Sequence, residues 1–199
     1  YTEQGSADPV AVRTPCPACG GVVEATYEDE RAAVACRDCG ESFSSSSLPP
    51  GVLEGYPPAS YPELFERWTA SLMDVIRRGF CIACHGPVDA RIVRGEDGKE
   101  EDGAGDCLIV QYDCRRCPER ATSSLGAALL DYPAVVAFHW EHGIDVREAR
   151  SWELDWLHDD HALVTSEDPL RIECTATLGA ESLTLTVDEG LEVLETTRS

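Results

Sequence analysis

Apolar residues recur along this chain with two different periods. Over residues 60–78, Leu64, Phe65, Trp68, Leu72, Val75 and Ile76 fall on one face at helical spacing. Ser60 and Glu63 form an S-x-x-E capping box, Pro62 sits in the first turn, and Gly79 suits the stop, so a helix is expected there. A shorter helix is expected over 133–142, opened by Pro133 and stopped by Gly143. It carries Val135, Val136, Phe138, His139 and Trp140. Beyond it the period drops to two. Trp152, Leu154 and Trp156 alternate with acidic residues, Leu170, Ile172, Cys174, Ala176 and Leu178 with polar ones, and Leu183, Leu185 and Val187 with threonines. This pattern predicts an antiparallel meander over 151–197 with one apolar face, which the two helices would cover. The fold class is α+β.

The cysteines add a second layer. "CPACGGVVEA" at 16–25 and "CIACHGPVDA" at 81–90 share six of ten positions, and each is followed by another Cys-x-x-Cys, "CRDC" at 36–39 and "CRRC" at 114–117. A Cys-x-x-Cys on a tight turn aims two sulfurs at one point, and a second hook from a facing hairpin completes a tetrahedron. Four thiolates at ~2.3 Å suit a closed structural zinc site. Two zinc ions per chain are therefore expected, one on Cys16, Cys19, Cys36 and Cys39, the other on Cys81, Cys84, Cys114 and Cys117. Gly20 and Gly40 permit the turn after the hooks of the first unit, whereas His85 replaces the glycine in the second. A unit of some 30 residues buries too little apolar surface to fold alone, so metal binding would supply folding free energy.

These signals divide the chain. Residues 1–13 read as a polar lead-in and 14–43 as the first zinc ribbon. The proline- and serine-rich stretch 44–59 reads as a linker, and 60–199 as an α+β domain containing the second ribbon at 80–118 and the meander. The second ribbon is longer because of "RGEDGKEEDGAGD" at 94–106, which is acidic, glycine-rich and without apolar pattern, and is expected as a solvated hairpin tip. The chain starts at Tyr1 and its one methionine is Met73, which reads as a fragment or processed form.

Charge narrows the function classes. The net charge is −21 and Lys99 is the one lysine beside 15 arginines, a surface suited to concentrated salt, where self-repulsion is screened. Such a chain grips nucleic acid poorly, although Arg77, Arg78, Arg91, Arg94, Arg115, Arg116 and Arg120 gather near the second ribbon and leave a ribbon-borne nucleic-acid contact as an alternative. Rubredoxin-like iron electron transfer is a further alternative, since such hooks also hold iron. Paired Cys-x-x-Cys motifs without a secretory signal point to metal binding in a reducing cytoplasm, and no apolar run reaches transmembrane length. Cys107 and Cys174 read as small buried apolar residues. "HWEH" (139–142) and "HDDH" (158–161) lack a third ligand and read as packed or solvated histidines. Trp68, Trp140, Trp152 and Trp156 suit either a core or the wall of a ligand cavity. No phosphate loop, dinucleotide fingerprint or nucleophile elbow occurs, so no enzyme is expected.

The order of ribbon, linker, amphipathic helix running into "GFCIACHGPV", second ribbon, "YPAVVAFHWEHGIDV" and "SWEL" resembles the C-terminal region of haloarchaeal winged-helix transcription regulators. The resemblance spans residues 14 to about 195. It implies an arsenical-repressor-like winged-helix domain upstream as the DNA-binding part, with this region serving regulation, homodimerisation or the sensing of a small-molecule effector. It carries over no DNA-reading residue and no effector.

Overall fold

The computed structural model describes residues 6–94, 108–157 and 162–199. The chain is α+β, mostly antiparallel sheet with few helices, and divides into two compact units: residues 1–74 with 150–154, and residues 75–149 with 155–199.

The first unit is built on a four-stranded antiparallel meander, β1 (Ala7–Pro15), β2 (Val22–Glu28), β3 (Arg31–Cys36) and β4 (Ser42–Ser47). Asp29 and Glu30 both take positive φ, 48° and 59°, between the paired residues Glu28 and Arg31. This is the two-residue hairpin turn whose twist matches the strands it joins. Alternate residues Val23, Ala25 and Tyr27 of β2 and Ala32, Val34 and Cys36 of β3 point to one buried face. That face packs with Leu48, Leu53 and Trp152, and with Leu64 and Phe65 of helix α1 (Tyr61–Arg77). The Tyr27 hydroxyl donates to the Leu48 carbonyl at 3.0 Å, and its ring lies 6.1 Å from Phe65.

Three expectations change here. Within the lead-in at 1–13, residues 7–13 belong to strand β1. The stretch expected as a linker at 44–59 is β4 followed by two short 3-10 turns at Pro50–Val52 and Pro58–Ser60. The helix expected to cover the C-terminal meander places Leu64 and Phe65 in the core of the first unit. The serines of β4 find partners that a sequence pattern does not reveal. Ser44 donates to Glu66 at 2.9 Å, Ser46 shares a hydrogen bond with Thr69 at 3.0 Å, Ser45 accepts from Arg31, and the Ser47 carbonyl accepts the Trp68 indole N–H at 2.7 Å.

The second unit has two sheets. Strands β5 (Val88–Arg94), β6 (Leu108–Cys114) and β7 (Arg120–Ser124) form the first. Helix α2 (Leu125–Leu129) follows at once, capped by the Ser124 hydroxyl oxygen, which accepts from the Ala127 amide at 3.2 Å. Helix α3 (Pro133–Glu141) has Pro133 in its first turn and Gly143 at φ 77° just past its end, as the sequence indicates. The C-terminal sheet is a meander of β8 (Ala162–Glu167), β9 (Leu170–Leu178), β10 (Glu181–Val187) and β11 (Val193–Arg198), in the order β11-β10-β9-β8. Ile172, Cys174 and Ala176 of β9 and Leu183, Leu185 and Val187 of β10 are its buried row. Phe138 of α3 lies under the Arg198 guanidinium, 5.1 Å from it, and Arg198 pairs with Glu141 at 2.6 Å.

The alternating stretch at 152–156 is not a strand. It forms 3-10 turns at Ser151–Glu153 and Asp155–Leu157. Trp152 and Leu154 are buried in the first unit and Trp156 in the second, so period-two burial arises here from a segment shared between two cores. The expected hairpin tip at 94–106 lies outside the described residues beyond Arg94, as do Cys107, His158 and His161.

Candidate metal centres

Each Cys-x-x-Cys hook closes a short turn. Cys16 N–H donates to the Gly21 carbonyl at 2.9 Å, Cys36 to Glu41 at 2.7 Å, Cys81 to Gly86 at 2.8 Å and Cys114 to Glu119 at 3.1 Å. In three hooks the residue after the second cysteine returns its amide to the first cysteine: Gly20 to Cys16 at 2.8 Å, Gly40 to Cys36 at 3.0 Å and His85 to Cys81 at 3.0 Å. These residues take positive φ of 73°, 79° and 56°. Glycine does this freely, while His85 carries a left-handed cost of ~1–2 kcal/mol. In the fourth hook the position is Pro118, which has no amide to give.

The turns bring together all eight cysteines singled out in the sequence, in two groups of four. Within each group the sulfurs all lie within 4.8 Å of one another. Cys16 and Cys39 are 3.8 Å apart, Cys19 and Cys36 3.5 Å, Cys81 and Cys117 3.6 Å, and Cys84 and Cys114 3.5 Å. Four sulfurs at ~2.3 Å from one ion sit about 3.8 Å apart at the corners of a tetrahedron, so both groups could hold a metal ion. Backbone amides point at the sulfurs, Gly21 at Cys19 and Asp38 at Cys36, each 3.4 Å, and Arg116 at Cys114, 3.3 Å. Such contacts orient ligands and spread their negative charge.

The thiols differ in acidity. The Cys39 amide beside Cys36, with other donors, lowers that thiol to about 7, and the Arg116 amide beside Cys114 lowers that one to about 6. At Cys19 the Gly21 amide favours the thiolate, yet the sulfurs of Cys39, Cys36 and Cys16 and partial desolvation outweigh it and push the thiol up to about 12. At Cys117 the Glu119 amide is likewise outweighed by the neighbouring sulfurs and desolvation, and that thiol too is pushed up to about 12. A tetrad without its ion thus keeps protons near neutral pH, and metal loading releases them.

Beyond His85 for Gly20 and Pro118 for Gly40, the two centres differ in a linked pair of positions, which the sequence repeat marks but which was not singled out from it. In the first, the Val22 amide donates to the Asp38 carboxylate at 2.8 Å, and Gly21 leaves room for it: a Cβ there would lie 2.4 Å from that carboxylate. In the second, Pro87 stands in place of Val22 and has no amide, and Arg116 stands in place of Asp38. Acceptor and donor are lost together. Asp38→Ala is therefore expected to lower the stability of the first unit by ~1 kcal/mol, and Arg116→Ala to leave the second within a few tenths. Thermal melting of both variants checks this.

Among the described residues, the remaining candidates lie outside both four-cysteine groups. His139 is fully buried. Its Nδ1 lies 2.8 Å from the Val135 carbonyl and its Nε2 accepts the Trp156 indole N–H at 2.9 Å. His142 turns Nδ1 to the Phe138 carbonyl at 2.8 Å. Cys174 is buried, and desolvation pushes its thiol up to about 12. Trp152 and Trp156 are core residues, Trp140 is 65% exposed, and Trp68 is half-buried. The basic cluster of the second ribbon is largely neutralised: Arg115 pairs with Asp89, while Arg91 and Arg120 share Asp113 at 3.1 and 2.8 Å. Arg78 and Arg116 have no carboxylate partner among the described residues.

Fold and sites define an α+β protein with two four-cysteine clusters able to bind metal ions. The chain belongs to the family described as a domain of unknown function (DUF7351), which matches residues 13–193. No curated protein and no solved structure shows significant similarity to it.

Proposed function

We propose that the chain is a non-enzymatic regulatory module of a haloarchaeal transcription regulator, built around two structural zinc ions. The observation that carries this reading is the closure of both centres: four cysteine sulfurs on each, all within 4.8 Å, with backbone amides around them. Four thiolates fill the coordination of zinc and leave no position for a reactive water, which favours a scaffold over a catalyst. The module works in the cytoplasm, dimerises with a second copy, and contributes partner contact or effector sensing. DNA is met through a winged-helix domain upstream. The net charge of −21 and the Asp89 and Asp113 pairings of the ribbon arginines favour this over direct nucleic-acid binding.

Elemental analysis of the purified chain is expected to give two zinc ions, and a duplex-DNA titration to show weak binding even at low salt. A red protein containing iron would replace the zinc reading with electron transfer. Tight binding to duplex DNA that weakens steeply with salt would make the ribbons nucleic-acid readers.

A further inference from the structure

Within the first unit, a groove of about 270 Å³ opens between α1 and the turn that follows β4, lined by Val52, Tyr56, Leu64, Arg67, Trp68 and Ser71. Leu64 is its buried floor. Trp68 is a fixed wall, because its indole N–H is held on the Ser47 carbonyl at 2.7 Å. Tyr56, 50% exposed, stands just after Gly55, whose φ of 80° turns the chain there.

Arg67 gives the groove its chemistry. Elsewhere in this acidic chain Arg37, Arg91, Arg120, Arg147 and Arg198 each meet a carboxylate at 2.6 to 3.2 Å, whereas Arg78 and Arg116 meet none among the described residues. No carboxylate pairs with Arg67 among the described residues. The nearby acids of α1 are engaged otherwise: Glu66 accepts from the Ser44 hydroxyl and the Ser151 amide, and Glu63 lies 3.9 Å from Arg150. Ser71 turns its hydroxyl back to the Arg67 carbonyl at 2.8 Å, so the guanidinium is the one charged donor in the lining. An unpaired guanidinium beside an indole and a phenol suits a planar carboxylate, which it can hold with two parallel hydrogen bonds while the ring lies on the aromatic walls. A groove of about 270 Å³, open to solvent, has room for one or two fused rings.

We infer that this groove binds a small aromatic carboxylate, with Arg67 holding the carboxylate and Trp68 and Tyr56 flanking the ring. The groove is a binding site whether or not the chain regulates transcription, so its failure would leave that reading standing.

The test uses the full chain with 2-naphthoate as the probe and 2-naphthamide as its uncharged counterpart, followed by calorimetry at fixed salt. Saturable naphthoate binding is expected, at least tenfold weaker for naphthamide. Arg67→Gln should weaken naphthoate at least tenfold and leave naphthamide unchanged. Arg67→Lys should fall between, since an ammonium cannot form the paired contact. Tyr56→Ala, at a position 50% exposed, should weaken both ligands. No saturable binding of naphthoate, or equal affinity of the parent and Arg67→Gln for it, overturns the assignment. Binding that survives both Arg67→Gln and Tyr56→Ala would place the ligand elsewhere and overturn it equally.

Discussion

Replacing Cys36 with serine is expected to empty the first centre and unfold the whole first unit, not the ribbon alone. Cys36 and Cys16 are each 2% exposed and belong to the same buried cluster as Leu48, Leu53, Leu64, Phe65 and Trp152. Structural zinc contributes ~10–16 kcal/mol of apparent folding free energy in small domains, more than a twelve-residue core of this kind supplies alone after the entropy of ordering the chain. A serine hydroxyl offers neither the softness nor the acidity of the thiol. Metal content should fall from two ions per chain to one. Peptide-level hydrogen exchange should lose protection through β1–β4, through α1 over residues 61–74, and at 150–154. Should the loss stop near residue 43, with 61–74 still protected, the core shared by β1–β4 and α1 would be wrong and 44–59 would be a linker after all.

That experiment turns on the feature the sequence concealed. The two four-cysteine clusters were legible because a thiolate tetrad needs a fixed local spacing, and Cys-x-x-Cys writes that spacing directly into the chain. Helix α3 was legible from Pro133 and Gly143, which act on the backbone through their own covalent structure. The alternation in β9 and β10 was legible because one face of that sheet meets a core. Strand β4 was not. Serine has poor strand propensity and favours turns, so "SSSS" reads as a break. Its strand depends on partners 14 to 23 residues away in sequence, Arg31, Glu66 and Thr69, which no local pattern can announce. The 3-10 turns at 151–157 misled in the opposite way. Their burial alternates like a strand's, but the alternation belongs to two cores reached in succession. Asp38 was legible in part: comparing the two hooks shows that the Val22–Asp38 pair becomes Pro87–Arg116, but only the 2.8 Å contact shows why both positions differ.

The second unit carries its own large expected effect, at the buried pair of His139 and Trp156. His139 is the one buried polar side chain among the described residues. Desolvation is the main cause that lowers its pKa. The Val135 carbonyl, favouring the charged ring, opposes it, and the neighbouring His142 adds to the lowering. The hydrogen bonds agree on a neutral ring: Nδ1–H donates to Val135 and Nε2 accepts from Trp156, so a second proton on Nε2 would set donor against donor. An unfolded histidine takes up its proton near pH 6.5, while the folded one resists. The unfolded state therefore binds more protons as pH falls below about 6.5, and stability must fall with it, by up to about 1.4 kcal/mol per pH unit until the folded pKa is reached. His139→Leu should destabilise at pH 8 by ~1–3 kcal/mol, because the Trp156 N–H, 3% exposed as a residue, loses its acceptor. The same variant should show a shallower loss of stability between pH 7 and 5 than the parent. Most carboxylates stay ionised across that window, so the difference between the two slopes isolates this histidine. Denaturant titrations at four or five pH values measure both quantities. Parallel slopes for parent and His139→Leu would mean that His139 titrates alike in the folded and unfolded chain, and a neutral, doubly bonded ring would have to be abandoned.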